Sequence, residues 1–474
     1  MLRERGASRS RIASGVAVVS IAARPFPCPH GRCLYCPGGG RTPQSYVERS
    51  PVVMRGSRLD YDPYLQVTRR LQDFSRSGVH PSKVELIIMG GTFNAQPFDY
   101  QEWFVKRALD SMNSYMGPER ISRNLLEAQE LNEVSSVRCV AMTLETRPDW
   151  AMEDHVDRML YLGFTRVELG VQSPFDDVLL RVGRAHTVGE VRRATRVLRD
   201  AAYKVGYHLM PGLPGSDLDR DLEALRMIIE DPSFRPDALK IYPTLVIRDT
   251  PLQRMWERGE YRGMTDEEFE EYLMRALPML PRWMRLQHVQ RDIPEEFIIA
   301  GPRRRNMRQL VEEALMARGI KIEEMRFREA GRVSNKGIEP DYDSVRMEIL
   351  EYEAGGGTEF LLSLVDRRDV LMGILRLRDP SPLAHRWEVD DRTSLIRELH
   401  VYGQMVPIGE APGPHAQHRG YGAMLVREAE RISSEEMGAK KVLVIAGIGA
   451  REYFRRLGYR KLPGSFYMWK ELAG

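Results

Sequence analysis

Cysteine is scarce in this chain of 474 residues: there are four. That number excludes a disulfide-built scaffold and fits a reducing compartment. Lysine is scarce too, at ten, so nearly all the basic charge is arginine. No apolar run reaches the eighteen or so residues that a membrane-crossing helix needs. Behind the basic opening MLRERGASRSR lies only a brief apolar stretch, Gly15 to Ala23. Its β-branched content reads as a first strand rather than a secretory leader, and the cytoplasm is the expected compartment. Short repeats and low-complexity tracts are also missing. The net charge of +3 by itself decides nothing about nucleic acid.

The distribution of charge says more than its sum. Arginines crowd the first sixty residues, from Arg3 and Arg5 through Arg24, Arg32, Arg41, Arg49, Arg55 and Arg58, and a second group stands at Arg303, Arg304, Arg305 and Arg308. Clustered basic charge attracts phosphate without regard to base sequence. The competing reading is a solvated surface in an arginine-rich protein.

Between residues 14 and 285, β-rich runs alternate with amphipathic helical stretches. The strands expected are Gly15–Ile21, Val84–Met89, Cys139–Leu144, Arg166–Leu169, Tyr203–Leu209 and Ala238–Tyr242. Six such units imply a parallel sheet curled into a partial (β/α)6, TIM-like barrel of the α/β class, with its chemistry at the C-terminal strand ends. The rhythm stops near GPRRRN, so residues 286–340 read as a basic linker. Residues 341–474 then read as a separate α+β domain.

Three cysteines, Cys28, Cys33 and Cys36, fall within nine positions on a loop rich in glycine and proline; Cys139 stands alone. Three thiolates on one loop can hold three corners of a cubane cluster and leave one iron open. A structural zinc site with His30 as fourth ligand fits the same spacing. Further along, Gly90-Gly91-Thr92 ends the second expected strand, Glu145 and Gln172 end the third and fourth, and Lys240 interrupts an apolar strand. Glycines after a strand usually just turn the chain, and Glu145 and Gln172 alone read as rim hydrogen-bonders. A lone lysine in such a strand is either an edge residue or a functional charge. In the C-terminal region Gln417-His418-Arg419-Gly420-Tyr421-Gly422-Ala423 lies between a strand containing Glu398, Leu399 and His400 and a helix. Consecutive amides at a helix start cradle an anion, and glycine lets pyrophosphate approach.

Together the segments SGVAVVSIAARPFPCPHGRCLYCPGG, VELIIMGGTF, TLETRPD, ELGVQS, HLMPGLPGS and LKIYPTLV, in this order, resemble the Elongator catalytic-subunit family of the stand-alone archaeal or bacterial type. That family joins a radical S-adenosylmethionine domain to a GCN5-related N-acetyltransferase domain. The resemblance implies that Cys28, Cys33 and Cys36 hold a 4Fe–4S cluster. Gly90, Gly91, Thr92, Glu145 and Gln172 would bind S-adenosylmethionine. Glu398, Leu399, His400 and the run from Gln417 to Ala423 would bind acetyl-CoA. Lys240 is assigned to substrate or to the acetyl-CoA carbonyl, and Tyr453 to the acyl site. The implied reaction is carboxymethylation of carbon 5 of the wobble uridine in a tRNA anticodon stem-loop. A 5′-deoxyadenosyl radical activates the acetyl methyl group, and hydrolysis then frees coenzyme A. The chain is expected to act without partner subunits or a membrane, with an unspecified electron donor.

Two departures from the family stand out. Its usual acid position is Phe454 here, with Tyr453 beside it, which makes ordinary acetyl transfer to lysine a poor fit. The linker reads Arg326-Phe327-Arg328-Glu329 where relatives carry cysteines, so no linker zinc is expected. A protein lysine acetyltransferase with a structural cluster, and a non-catalytic tRNA scaffold, are the competing functions.

Overall fold

The computed structural model describes residues 16–403 and 420–472. Seven parallel strands form one curled sheet in chain order: β1 (Ala17–Ala22), β2 (Lys83–Met89), β3 (Arg138–Thr146), β4 (Arg166–Gln172), β5 (Lys204–Leu209), β6 (Ala238–Ile241) and β7 (Arg285–Val289). Parallel sheets covered on both faces are apolar on both. These strands alternate instead. In β2, Val84, Leu86 and Ile88 are fully buried against the outer helices, while Lys83, Glu85, Ile87 and Met89 face inward. Outer-face positions Val167, Leu169, Val205, Tyr207, Leu239 and Ile241 repeat this in β4, β5 and β6. Their inner-face neighbours are Arg166, Glu168, Lys204, His208 and Lys240. The half-barrel therefore has a greasy outside and a charged lumen.

The outer helices form where local signals agree. The helix Pro63–Arg76 starts with proline in its first turn and Asp62 as its cap, accepting from the Leu65 amide at 3.0 Å. It buries Val67, Leu71 and Phe74 at helical spacing. The helix α1 (Val188–Asp200) opens with a reciprocal Thr187–Glu190 capping box.

The sheet contains one strand more than the six expected. The boundary expected at 285/286 is corrected by β7, which begins at Arg285 and pairs with β6. Proline and arginine at that point mark the sheet's edge strand, not its end. The intervening segment folds as the helix Met307–Ala317 and two short helices, Met325–Arg328 and Ala330–Ser334.

The C-terminal domain is a second sheet ordered β8-β9-β10-β11-β12-β14-β13. Its strands are β8 (Arg346–Ala354), β9 (Gly357–Val365), β10 (Leu371–Asp379), β11 (Thr393–Val401), β12 (Lys441–Val444), β13 (Arg460–Lys461) and β14 (Met468–Glu471). Helix α2 (Tyr421–Glu435) packs on it through Leu425, Val426, Ala429 and Ile432. This sheet seats against the N-terminal ends of the barrel strands. Gly447 lies so close to Val140 at the base of β3 that a methyl group there would collide with the Val140 carbonyl. No helix among the described residues is long and apolar enough to cross a membrane.

The joint is a sealed ion network. Asp237 takes Arg397 at 2.7 and 2.9 Å, and Glu359 takes Arg397, Arg199 and Arg378 at 2.7, 2.8 and 2.9 Å. Asp200 takes Arg378 at 2.7 Å, and these side chains are at most 1% exposed. Residues of α1 and of the loop before β6 thus neutralise residues of β9, β10 and β11.

Candidate functional site

One cavity of about 1770 Å³ runs from the C-terminal strand ends, through the lumen, to the C-terminal domain. Cys28, Cys33 and Cys36 line its upper end; Gly420, Tyr421, Gly422, Ala423 and Tyr453 line its lower end.

At the upper end the three thiols are held by donors. The Gln44 amide reaches the Cys36 sulfur at 3.0 Å, Thr92 Oγ1 lies 3.7 Å from that of Cys28, and Arg184 lies 3.8 Å from that of Cys33. His30 Nε2 is 3.1 Å from the Cys33 sulfur. Cys139 is buried in the wall of β3, away from this loop, and lines no part of the cavity. Burial pushes the Cys28 and Cys33 thiols up, so loading a metal displaces protons. Three sulfurs ringed by N–H and O–H donors, with no fourth cysteine in reach, fit a cluster with an open iron.

Beside them lie buried polar atoms without partners: Gln172 Oε1, Arg147 Nη1 and Arg184 Nε. Gln172 sits in the left-handed region at φ 69°, which for a non-glycine residue marks a constrained position. Gly91, at φ 74°, lies so close to Gln44 that an added methyl group would stand 3.0 Å from its Cβ, and it lines the cavity with Thr92. Gly90 packs behind, against Ala23. Glu145 accepts from the Tyr46 hydroxyl at 2.8 Å. These unpaired donors and acceptors suit a small zwitterionic ligand bearing hydroxyl groups.

In the lumen Lys240 bonds Glu168 and stands 3.9 Å from Glu145. Glu168 also receives Arg166, and His208 Nε2 at 3.0 Å. Burial pushes the Glu168 carboxyl up, but the Lys240 and Arg166 charges outweigh it and leave it well below the usual carboxylate range. The Lys240 ammonium, pushed down by burial but raised on balance by Glu168, Tyr242 and Glu145 together, stays charged. It occupies the space among Glu145, Glu168 and His208, whose ligand atoms would otherwise suit a metal ion.

At the lower end β11 pairs in parallel with β12 only from Thr393↔Lys441 to Ile396↔Val444, although β11 continues to Val401. The two strands part there, and α2 starts beside the gap. Gly420, at φ 78°, stands at the N-cap of that helix. A slot between diverging strands beside a helix start fits a pantetheine arm and its pyrophosphate. Leu399 and His400 line the slot, while Glu398 is taken by Lys204 and Arg376. Glu398 is therefore corrected from a free ligand contact to a tie between the domains. Gln417, His418 and Arg419 lie outside the described residues. A methyl group at Gly422 would strike the Tyr453 hydroxyl, which places that hydroxyl at the turn. Phe454 packs at 5.5 Å against Tyr459.

Of the linker arginines, Arg303 and Arg304 bond protein groups, Arg304 pairing with Glu267 and Glu270. Arg305 and Arg326 face the cavity. Burial, then Arg285 and Arg308, lower Arg326 to about 9, as befits a cation whose guanidinium has no acidic hydrogen-bond partner among the described residues. Arg184, Arg166, Glu168, His208 and Arg326 escaped the sequence reading. The alternation R-V-E-L-G and K-V-G-Y-H-L within parallel strands was the signal for three of them, Arg166, Glu168 and His208.

The model of the Radical SAM superfamily matches residues 26–228, and that of the Radical_SAM C-terminal domain matches 236–317, across the boundary at 285/286. A tRNA uridine(34) acetyltransferase of Methanocaldococcus jannaschii is 47% identical over 470 residues, covering 98% of this chain and 85% of its own. Elongator complex protein 3 of Homo sapiens is 40% identical over 475 residues, covering 98% and 85%. The solved structure of archaeal Methanocaldococcus infernus Elp3 with an N-terminal deletion superposes with a TM-score of 0.85 at 43% identity, covering 97% of this chain and all of that one.

Proposed function

The chain belongs to the Elongator complex protein 3 family, and from that premise we propose that it carboxymethylates carbon 5 of uridine 34 in tRNA. Acetyl-CoA is the two-carbon source and S-adenosylmethionine the radical source. The observation that carries this reading is the single cavity joining the cysteine loop to the glycine turn.

Cys28, Cys33 and Cys36 would hold the 4Fe–4S cluster. When bound, the cluster supplies the electron that cleaves S-adenosylmethionine to a 5′-deoxyadenosyl radical. Gly91, Thr92, Glu145, Gln172 and the buried cation Arg184 receive the S-adenosylmethionine. The amides after Gly420 and the edge of β11 receive acetyl-CoA, with the Tyr453 hydroxyl beside the turn. Lys240 presents a fixed positive charge to the acyl carbonyl in the lumen, where low dielectric strengthens it. Arg305 and Arg326 hold RNA phosphates at the cavity wall, and the chain acts without partner subunits. Lysine acetylation is disfavoured because Phe454 packs into the core and donates no proton.

The test is anaerobic reconstitution with tRNA, S-adenosylmethionine and acetyl-CoA, followed by nucleoside mass spectrometry. The reading expects 5-carboxymethyluridine. Formation of 5′-deoxyadenosine with unmodified tRNA would overturn it.

A further inference from the structure

At the acyl-transferring end the usual acid position is Phe454, which packs into the core and donates no proton, while the Tyr453 hydroxyl lies beside the glycine turn. The lumen supplies an alternative. β5 presents Lys204 and His208 inward, with Met210 just past its end, and between the two basic residues Gly206 packs against the Glu168 side chain. The His208 ring meets the edge of the Tyr242 ring at 5.4 Å. Its Nε2 lies 3.0 Å from Glu168 Oε2, the oxygen that also bonds Lys240. Nδ1 has no hydrogen-bond partner among the described residues and is not among the occluded atoms, so it opens on the cavity. A carboxylate accepting from Nε2–H fixes the tautomer with a lone pair on Nδ1. One carboxylate oxygen thus orients a base and an ammonium toward the same space.

We propose that His208 is the general base, and then the general acid, that hydrolyses the thioester once the two-carbon unit is joined to the nucleoside, with Glu168 as its positioning residue. This rests on the reaction proposed above. Water attacks the thioester carbonyl, and its proton passes to Nδ1 as the C–O bond forms. The Lys240 ammonium stabilises the oxyanion. The C–S bond then breaks, the imidazolium returns its proton to the departing thiolate, and the carboxylic acid loses a proton to solvent. The products are a carboxymethyl nucleoside and free coenzyme A, with no redox change.

The groups facing His208 are Glu168 and Arg166 on β4, Glu145 on β3, Lys204 on its own strand, Lys240 and Tyr242 on β6, and His288 on β7. Burial raises Tyr242 to about 12, so it does not titrate near neutrality. A general base must be deprotonated to act, so thiol release should rise with pH, and removing the base should flatten that dependence.

The experiment uses the reconstituted full chain with tRNA and acetyl-CoA. Without S-adenosylmethionine it measures coenzyme A release across pH 5–9; with it, 5′-deoxyadenosine and the mass of the tRNA product. General acid–base catalysis is worth about 10²–10⁴-fold. His208→Gln should lower thiol release about a hundredfold and flatten its pH dependence. It should leave 5′-deoxyadenosine formation unchanged and accumulate tRNA bearing a coenzyme A thioester. Glu168→Gln should shift that dependence to another pH without removing it. Normal thiol release with an intact pH dependence in His208→Gln overturns the proposal. So does His208→Asn or His208→Gln protein that folds normally but loses both activities together. Absence of any modified tRNA from the wild type would instead count against the reaction itself.

Discussion

The two ends of the cavity are built by different means. The upper end is side-chain chemistry: three thiols, a strained glutamine and buried cations with unpaired atoms. The lower end is backbone chemistry: two strands that part and a helix that starts at a glycine turn beside the gap. Side chains announce themselves in sequence; strand divergence does not. Between the ends lies the charged lumen, and below it a sealed ion network that fixes one domain on the other. Both the lumen and the joint bury acids with arginine or lysine, yet only the lumen opens to ligand.

This comparison can be broken from either end. Replacing Cys33 by Ser should abolish 5′-deoxyadenosine formation while acetyl-CoA still binds the lower end, measured by nucleoside chromatography and calorimetry. Loss of both would mean that the ends are not independently built.

The joint comes next. Asp237→Asn removes one of the two carboxylates that neutralise the buried Arg397 and should cost about 3–5 kcal/mol, read from the denaturant midpoint. In the wild type the tie should weaken only in strong acid. Burial pushes Glu398 up, but Lys204 and Arg376 outweigh it and hold it down to about 2. A carboxyl depressed in the folded state contributes fully above its unfolded pKa of about 4.3 and loses that contribution as pH falls toward 2. Stability that peaks below pH 3 would contradict this.

A smaller effect tests the turn. Gly422→Ala should weaken acetyl-CoA binding about tenfold, near 1.4 kcal/mol, because the new methyl meets the Tyr453 hydroxyl. Adding Tyr453→Phe should recover part of that loss; no recovery would place the tyrosine elsewhere. Smallest of all, removing Arg305 and Arg326 together should lower the salt slope of tRNA binding by about one to two. Removing Arg303 and Arg304 should leave the slope nearly unchanged, since those guanidiniums are engaged by protein.

Much of the upper end was legible from residue order alone, because a cysteine loop after a strand, GGT and Gln172 each sit where βα topology predicts function. The seventh strand was hidden because Pro281 and Arg285 flank an edge strand, where apolar patterning is weakest. The first strand of the second sheet, β8, was hidden for a related reason: Arg346, Leu350, Glu351 and Glu353 leave it largely exposed. Glu168 and His208 could have been read from inward alternation, but a charged residue in a parallel strand looks like an exception until the lumen is seen. The sealed joint was illegible, since its partners Asp200, Asp237, Glu359, Arg378 and Arg397 are far apart in sequence and each alone looks like surface.

Isotope transfer tests the central claim, that one cavity carries the acetyl group from the glycine turn to the cysteine end. The reconstituted protein would be given tRNA, S-adenosylmethionine and acetyl-CoA deuterated on its methyl group, and the 5′-deoxyadenosine weighed. Deuterium in 5′-deoxyadenosine, matched by loss of one deuterium from the two-carbon unit on uridine 34, is the expected result. Unlabelled 5′-deoxyadenosine alongside modified tRNA would show that the two ends do not meet, and would contradict the account.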